Sequence, residues 1–232
     1  MFRYNPDPLV GAAISRLRFF TASGPNYLRQ NQRLRDIDDE NDSPDITVQA
    51  FELCKISEAF DCAIFGNITA SWLKAAGWTD NMNLPPGELW RTLVANRTSQ
   101  GTEPDPWYPR AFLSAVREKG MEYGINTHQL IHEKDNAAYF EVFRRVQEVV
   151  WNRRLIRTSD IQGYGKLLGL APEESRKGDL ICIVRGCSVP IVLRSLGNTT
   201  EDHELIGECY VDGMMDGQAM KLCMDPVGFR IV

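Results

Sequence analysis

Between Arg153 and Gly217 short apolar runs rich in Ile, Val and Leu alternate with Gly, Asp, Ser and Asn, and this limits the fold more than any other feature of the chain. Such punctuation predicts several short strands joined by tight turns. Five consecutive apolar residues, Leu180 to Val184, predict a strand buried on both faces. In the next run Val189, Ile191 and Leu193 share a face opposite Pro190, Val192 and Arg194. Further on, Leu205, Gly207, Cys209 and Val211 face one way, and Ile206, Glu208 and Tyr210 the other. Turns are expected at Lys177–Gly178, Arg185–Gly186 and Gly197–Asn198. Closing such strands into a small barrel leaves no long exposed edge.

The residues before this stretch carry helical spacing, which divides the chain into a mainly helical region with proline-rich loops, 1–150, and a small β-barrel, 151–232. Leu9 to Phe20 fits a short amphipathic helix, and Gln30–Asp42 a charged loop. Ser43-Pro44-Asp45 is a helix start signal, and Leu53, Ile56, Phe60, Ala63 and Ile64 then fall on one helical face until Gly66–Asn67. Short helices are expected over Trp72–Trp78, Glu88–Asn96 and Arg110–Lys119. The strongest pattern runs from Asn136 to Asn152, with Asp135 as its cap. There Tyr139, Phe140, Val142, Phe143, Val146, Val149 and Val150 face inward, while Glu141, Arg144, Arg145 and Glu148 face solvent.

Bulk properties remove several classes of function. The 232 residues are 43% hydrophobic and 25% charged, which is ordinary globular material. A net charge of −5 argues against nucleic-acid binding through a domain-wide basic field. Arg144–Arg145 and Arg153–Arg154–Arg157 read as the solvated edge of the apolar helix. No apolar run reaches the roughly 18–20 residues of a membrane span, and prolines interrupt the N-terminus where a signal peptide needs an apolar core. A cytoplasmic protein is expected, with its sequons at Asn67, Asn96 and Asn198 silent and its six cysteines free.

No catalytic or cofactor motif stands out. His128 and His132 have helical metal-pair spacing, but Gln129 stands where a zinc protease needs glutamate, so both read as exposed helix histidines. Gly163-Tyr164-Gly165 reads as a bend between strands, not a phosphate loop. Asp179 enters a strand after Gly178, where a carboxylate accepts turn N–H groups. Glu208 suits a surface position or a pair with an arginine such as Arg194. Asp212 and Asp216 complete this set of acids, and Trp107-Tyr108 reads as a plug pinning a proline-rich loop to the core.

The wording GDLICIVRGCSVPIVLRSLG, then HELIGECYVDGMMDGQAM, resembles the C-terminal small barrel of fungal heterokaryon-incompatibility (HET) proteins. The resemblance is carried by Gly178, Asp179, Gly186, Pro190, Leu193 and Arg194, then by Gly207, Glu208, Tyr210, Val211, Gly213, Met215, Gly217 and Ala219. Upstream, LWRTLVANRTSQGTEPDPWY resembles the helical middle region of the same proteins. The wording Y-x-A-L-S-Y-x-W-G of the death-inducing HET domain is not found in the sequence. The resemblance implies an α+β chain, an N-terminal helical region followed by a small SH3-like antiparallel barrel. It would act in non-self recognition, or in its regulation, by contact with a protein partner such as another HET-family member. It implies no cofactor and no catalytic residue. Tyr164, Asp179, Pro190, Arg194, Glu208, Tyr210 and Asp216 are the expected interaction or structural residues. Two alternatives remain open: an enzyme with its site at the helix–barrel junction, using Asp179, Glu208 or His203, and a peptide-binding adaptor with Tyr164 or Tyr210 in an exposed groove.

Overall fold

In the computed structural model, which describes residues 22–23, 46–132, 136–197, 202–222 and 225–232, helices are combined with one eight-stranded sheet. The expectations for Leu9–Phe20, Gln30–Asp42, Ser43–Asp45, Asp135, Asn198 and Cys223 lie outside the described residues.

Strand β1, Ile46–Cys62, runs where the spacing of Leu53, Ile56 and Phe60 suggested a helix. The mistaken period has a physical origin. Facing β4, Leu180–Val184, β1 carries one extra residue at Leu53, because Glu52 pairs with Cys182 and Cys54 with Ile181. Facing β2, Arg153–Thr158, it carries another at Ser57, between the pairs Ile56–Thr158 and Glu58–Arg157. Each bulge shifts the inside–outside alternation by one, so a strand of period two acquires the three- and four-residue intervals of a helix. Ser57 Oγ fills the second gap by donating to the carbonyls of Arg157 and Thr158.

The remaining strands are β3 (Leu168–Pro172), β5 (Ile191–Ser195), β6 (Asp202–Glu208), β7 (Tyr210–Val211) and β8 (Val227–Ile231). Pairing runs β4–β5–β6–β8–β1 and returns to β4, a closed hydrogen-bonded ring. The far half of β1 continues into β2, β3 and β7. β1 thus stands on the N-terminal side of residue 150 yet pairs with three strands beyond it. β4 is buried on both faces: Ile181 and Ile183 enter one apolar core with Phe51, Ile156, Val192 and Val211, while Leu180, Cys182 and Val184 enter another with Leu193 and Phe229.

Among the described residues five α-helices cover the opposite side of β2, β3 and β7: α1 (Ala70–Ala75), α2 (Gly87–Leu93), α3 (Tyr108–Lys119), α4 (Thr127–His132) and α5 (Ala137–Val150). Their core contains Trp72, Phe112, Phe143 and Val146 together with Leu155, Leu168, Leu170 and Tyr210 of the sheet. Asn136 caps α5 by accepting from the Ala138 and Tyr139 N–H groups.

The inward face of α5 differs from expectation at two positions. Phe140 is 46% exposed, and Arg145 is 2% exposed. Arg145 Nε donates to the carbonyls of Val94 and Arg97, at 3.2 and 3.0 Å, where left-handed Ala95 and Asn96 end α2. Those carbonyls need a donor, and a buried guanidinium supplies it. Burial lowers its pKa to about 10. Arg153 and Arg157, likewise expected at a solvated edge, tie Glu208 and the Ala75 carbonyl instead.

Candidate functional site

The acids singled out in the sequence are held in separate places. Asp179, 3% exposed, accepts from the Arg176 N–H at 2.9 Å and from Arg194 Nε and Nη2 at 3.0 and 2.9 Å. Arg194 Nη2 also reaches the Glu174 carbonyl, so the pair staples the turn entering β4 to β5. The hydrogen bonds it donates to Asp179 raise the Arg194 pKa. The partner of Glu208 is therefore not Arg194 but Arg153, which bonds both its carboxylate and its backbone carbonyl. Strand register explains this: Arg194 lies opposite Glu204, three rungs from the Ile191–Glu208 pair with a bulge between.

A second constellation bolts α2 to the chain after β7. Tyr210, 1% exposed, donates its hydroxyl to Asp212 Oδ1 at 2.9 Å, and Arg91 holds the same carboxylate with Nε and with Nη2 at 2.6 Å. Burial first, then the Asp212 charge, pushes the Tyr210 hydroxyl well above its usual range. Six residues beyond Arg91, Arg97 grips Asp216 at 2.8–2.9 Å. Glu88 accepts the Leu168 N–H, and its partial burial raises its pKa. Sequence reasoning named Tyr210, Asp212 and Asp216 but missed Glu88, Arg91 and Arg97. The available signal was a pair of basic residues on ELWRTLVANR, the helical segment already noted for its wording.

The rest of the expected set disperses. His203 lies edge-on to Phe229 at 5.0 Å, so Asp179, Glu208 and His203 have three different partners. Tyr164 is 41% exposed in a turn closed by Gly163 and Gly165, both at positive φ. Of the two tyrosines expected in an exposed groove, Tyr210 is buried and Tyr164 is exposed. Pro190 is buried and accepts the Cys209 N–H. Tyr108 is buried and donates to Glu141 at 2.8 Å, and Trp107 packs edge-on against it. His128 and His132 are both exposed on α4.

One exposed apolar group lies on the turn Ile64–Gly66, between β1 and α1. Phe65, at φ 53° and ψ 30°, is held in the left-handed region, where a bulky residue is rare and costs about 1–2 kcal/mol. Three contacts impose the bend. Thr127 Oγ1 donates to the Gly66 carbonyl, the Thr127 N–H donates to Asn67 Oδ1, and Gln147 occupies the space a Gly66 side chain would need. Phe65 consequently projects outward, 60% exposed, with its ring edge-on to Trp151 at 5.8 Å. Ile64 is 63% exposed beside it, and Phe140 lies further along α5 beneath the Arg144 guanidinium.

No helix of the described residues is long and apolar enough to cross a membrane. Neither the curated proteins nor the solved structures contain a match to the chain. Residues 131–224, from the end of α4 to just before β8, match the family model of the Het-6 beta-barrel domain, so this part of the chain is similar to a heterokaryon-incompatibility-related domain.

Proposed function

We propose that the chain acts in fungal non-self recognition of the heterokaryon-incompatibility type, or in its regulation, through cytoplasmic protein–protein contacts and not through catalysis. The family match over 131–224 supports the heterokaryon-incompatibility setting. The single observation that carries the contact mechanism is the Phe65–Trp151 pair. Backbone strain persists only where the surrounding structure enforces it, and here it projects a large apolar ring into solvent. The engagement of Asp179, Glu208 and Asp212 by arginines supports an architectural role for these acids. The partner is another HET-family protein, and neither nucleic acid nor a cofactor takes part.

The test is a pull-down from fungal lysate with the intact chain and a Phe65→Ser/Trp151→Ser chain as baits, read by mass spectrometry, with urea unfolding to verify that both are folded. A heterokaryon-incompatibility protein recovered by the intact chain and lost by the variant is the expected result. Equal recovery by both baits, or none by either, sinks the reading.

A further inference from the structure

Helix α3 turns a second surface outward. Arg110, Leu113, Ser114 and Arg117 recur at intervals of three, one and three residues, which places them along one helix face. With Asn83 and Leu84 from the neighbouring loop they line an open cleft of about 480 Å³. Its walls contain two arginines and no acid. Arg110 and Arg117 have no carboxylate partner among the described residues, in a chain whose net charge is −5. Leu84 is 49% exposed at the rim, and Leu113 packs partly onto the helical core below. Ser114 accepts the Tyr139 hydroxyl at 2.7 Å, which leaves its own proton for an acceptor in the cleft. Beyond Arg117 the surface changes sign: an adjoining hollow shares Leu113 and Arg117 but is bordered by Asp80 and Glu122.

We propose that this cleft docks an acidic amphipathic helix of a partner protein, an inference that rests on the protein-contact reading and adds a second surface to it. The two arginines stand seven residues apart on α3, roughly 10 Å along the axis. A ligand helix with glutamates at i and i+7 and a leucine at i+3 matches that spacing, with its leucine against Leu84 and Leu113. Arginine forks favour carboxylates at a fixed geometry, and the acidic rim beyond Arg117 sets the ligand's direction by repelling a charge placed there.

The probe is a fluorescein-labelled helical 14-residue peptide with this Glu–Leu–Glu pattern, titrated into the full chain by fluorescence anisotropy. Saturable binding is expected, weakened at least about tenfold by Arg110→Glu/Arg117→Glu and restored when the peptide glutamates become lysines. The Phe65→Ser/Trp151→Ser chain binds the peptide like the parent. No saturable binding, equal binding by parent and charge-reversed chains, or no rescue by the lysine peptide overturns the proposal. Any of these with partner capture through Phe65 and Trp151 intact leaves the contact reading standing.

Discussion

Arg194→Met removes the guanidinium that holds the buried Asp179 carboxylate, and the geometry fixes what this costs. Taking one partner from a buried ion pair costs about 3–5 kcal/mol. The Arg194 side chain is 14% exposed and that of Asp179 is 3% exposed, so the stranded charge has little access to water. The Arg176 N–H still reaches the carboxylate and the exposed Arg176 guanidinium remains 3.9 Å from it, which puts the loss near the lower end, about 3 kcal/mol. For a chain of this size that lowers Tm by about 6–12 °C. The discriminating measurement is the sign of a second change. Asp179→Asn alone costs about 1–2 kcal/mol, because Arg194 loses a charged acceptor but keeps the Glu174 carbonyl. On top of Arg194→Met the same substitution replaces a stranded charge with a neutral amide that still accepts the Arg176 N–H, and it recovers about 1–2 kcal/mol. Urea unfolding followed by tryptophan fluorescence on all four proteins reads the cycle. An equal cost for Asp179→Asn in both backgrounds refutes the pairing as the source of stability.

Two further predictions concern the seam and the thiols. Asp212→Ala takes the acceptor from the buried Tyr210 hydroxyl and the partner from Arg91, for about 2–3 kcal/mol, whereas Asp216→Ala costs no more than about 1 because that side chain is 41% exposed; urea midpoints separate the two. Burial pushes the Cys54 and Cys182 thiols from 9.0 up to about 12, so between those pH values the unfolded chain sheds their protons and the folded chain keeps them. Their contribution is therefore whole below pH 9 and is lost as pH rises toward 12, by up to ~1.4 kcal/mol per pH unit for each thiol. Unfolding midpoints measured from pH 8 to 11 fall more steeply for the parent than for Cys54→Ala/Cys182→Ala, and identical slopes contradict the assignment.

The parts of the fold legible in the sequence are those where one local rule acts alone. Leu180–Val184 has no polar residue to lose, and the strand is buried on both faces as its composition required. Where a second constraint intervenes, the local pattern misleads. The bulges at Leu53 and Ser57 gave β1 a helical period, and they are set by pairing partners about 100 residues or more away in the chain. Arg145 turned inward because the carbonyls at the end of α2 required a donor, a need visible only once α2 and α5 meet. Of the candidate site, the acids were recognisable by type. Which arginine each would meet was not, since Arg153–Glu208 and Arg91–Asp212 are joined by tertiary packing and not by spacing. The Phe65–Trp151 pair left no signal, because nothing in Ile64-Phe65-Gly66 announces a left-handed phenylalanine.

β1 gives the chain an unusual order of assembly. Its first residues pair with β8 near residue 231, its middle with β4 near 182, and its end with β2 near 157. The earliest strand of the sheet is therefore completed by the last one, and each pairing of β1 joins points far apart in sequence, a topology that folds slowly. A ribosome must release residues 225–232 before the ring can shut, and until then β1 presents an unpaired edge between Ile46 and Gln49. The span 131–224 contains neither β1 nor β8, so expressed alone it would expose the edges of β2, β4 and β6 that those strands cover. The stretch that is recognisable as a domain by its wording and the unit that can close its own sheet are two different lengths of chain.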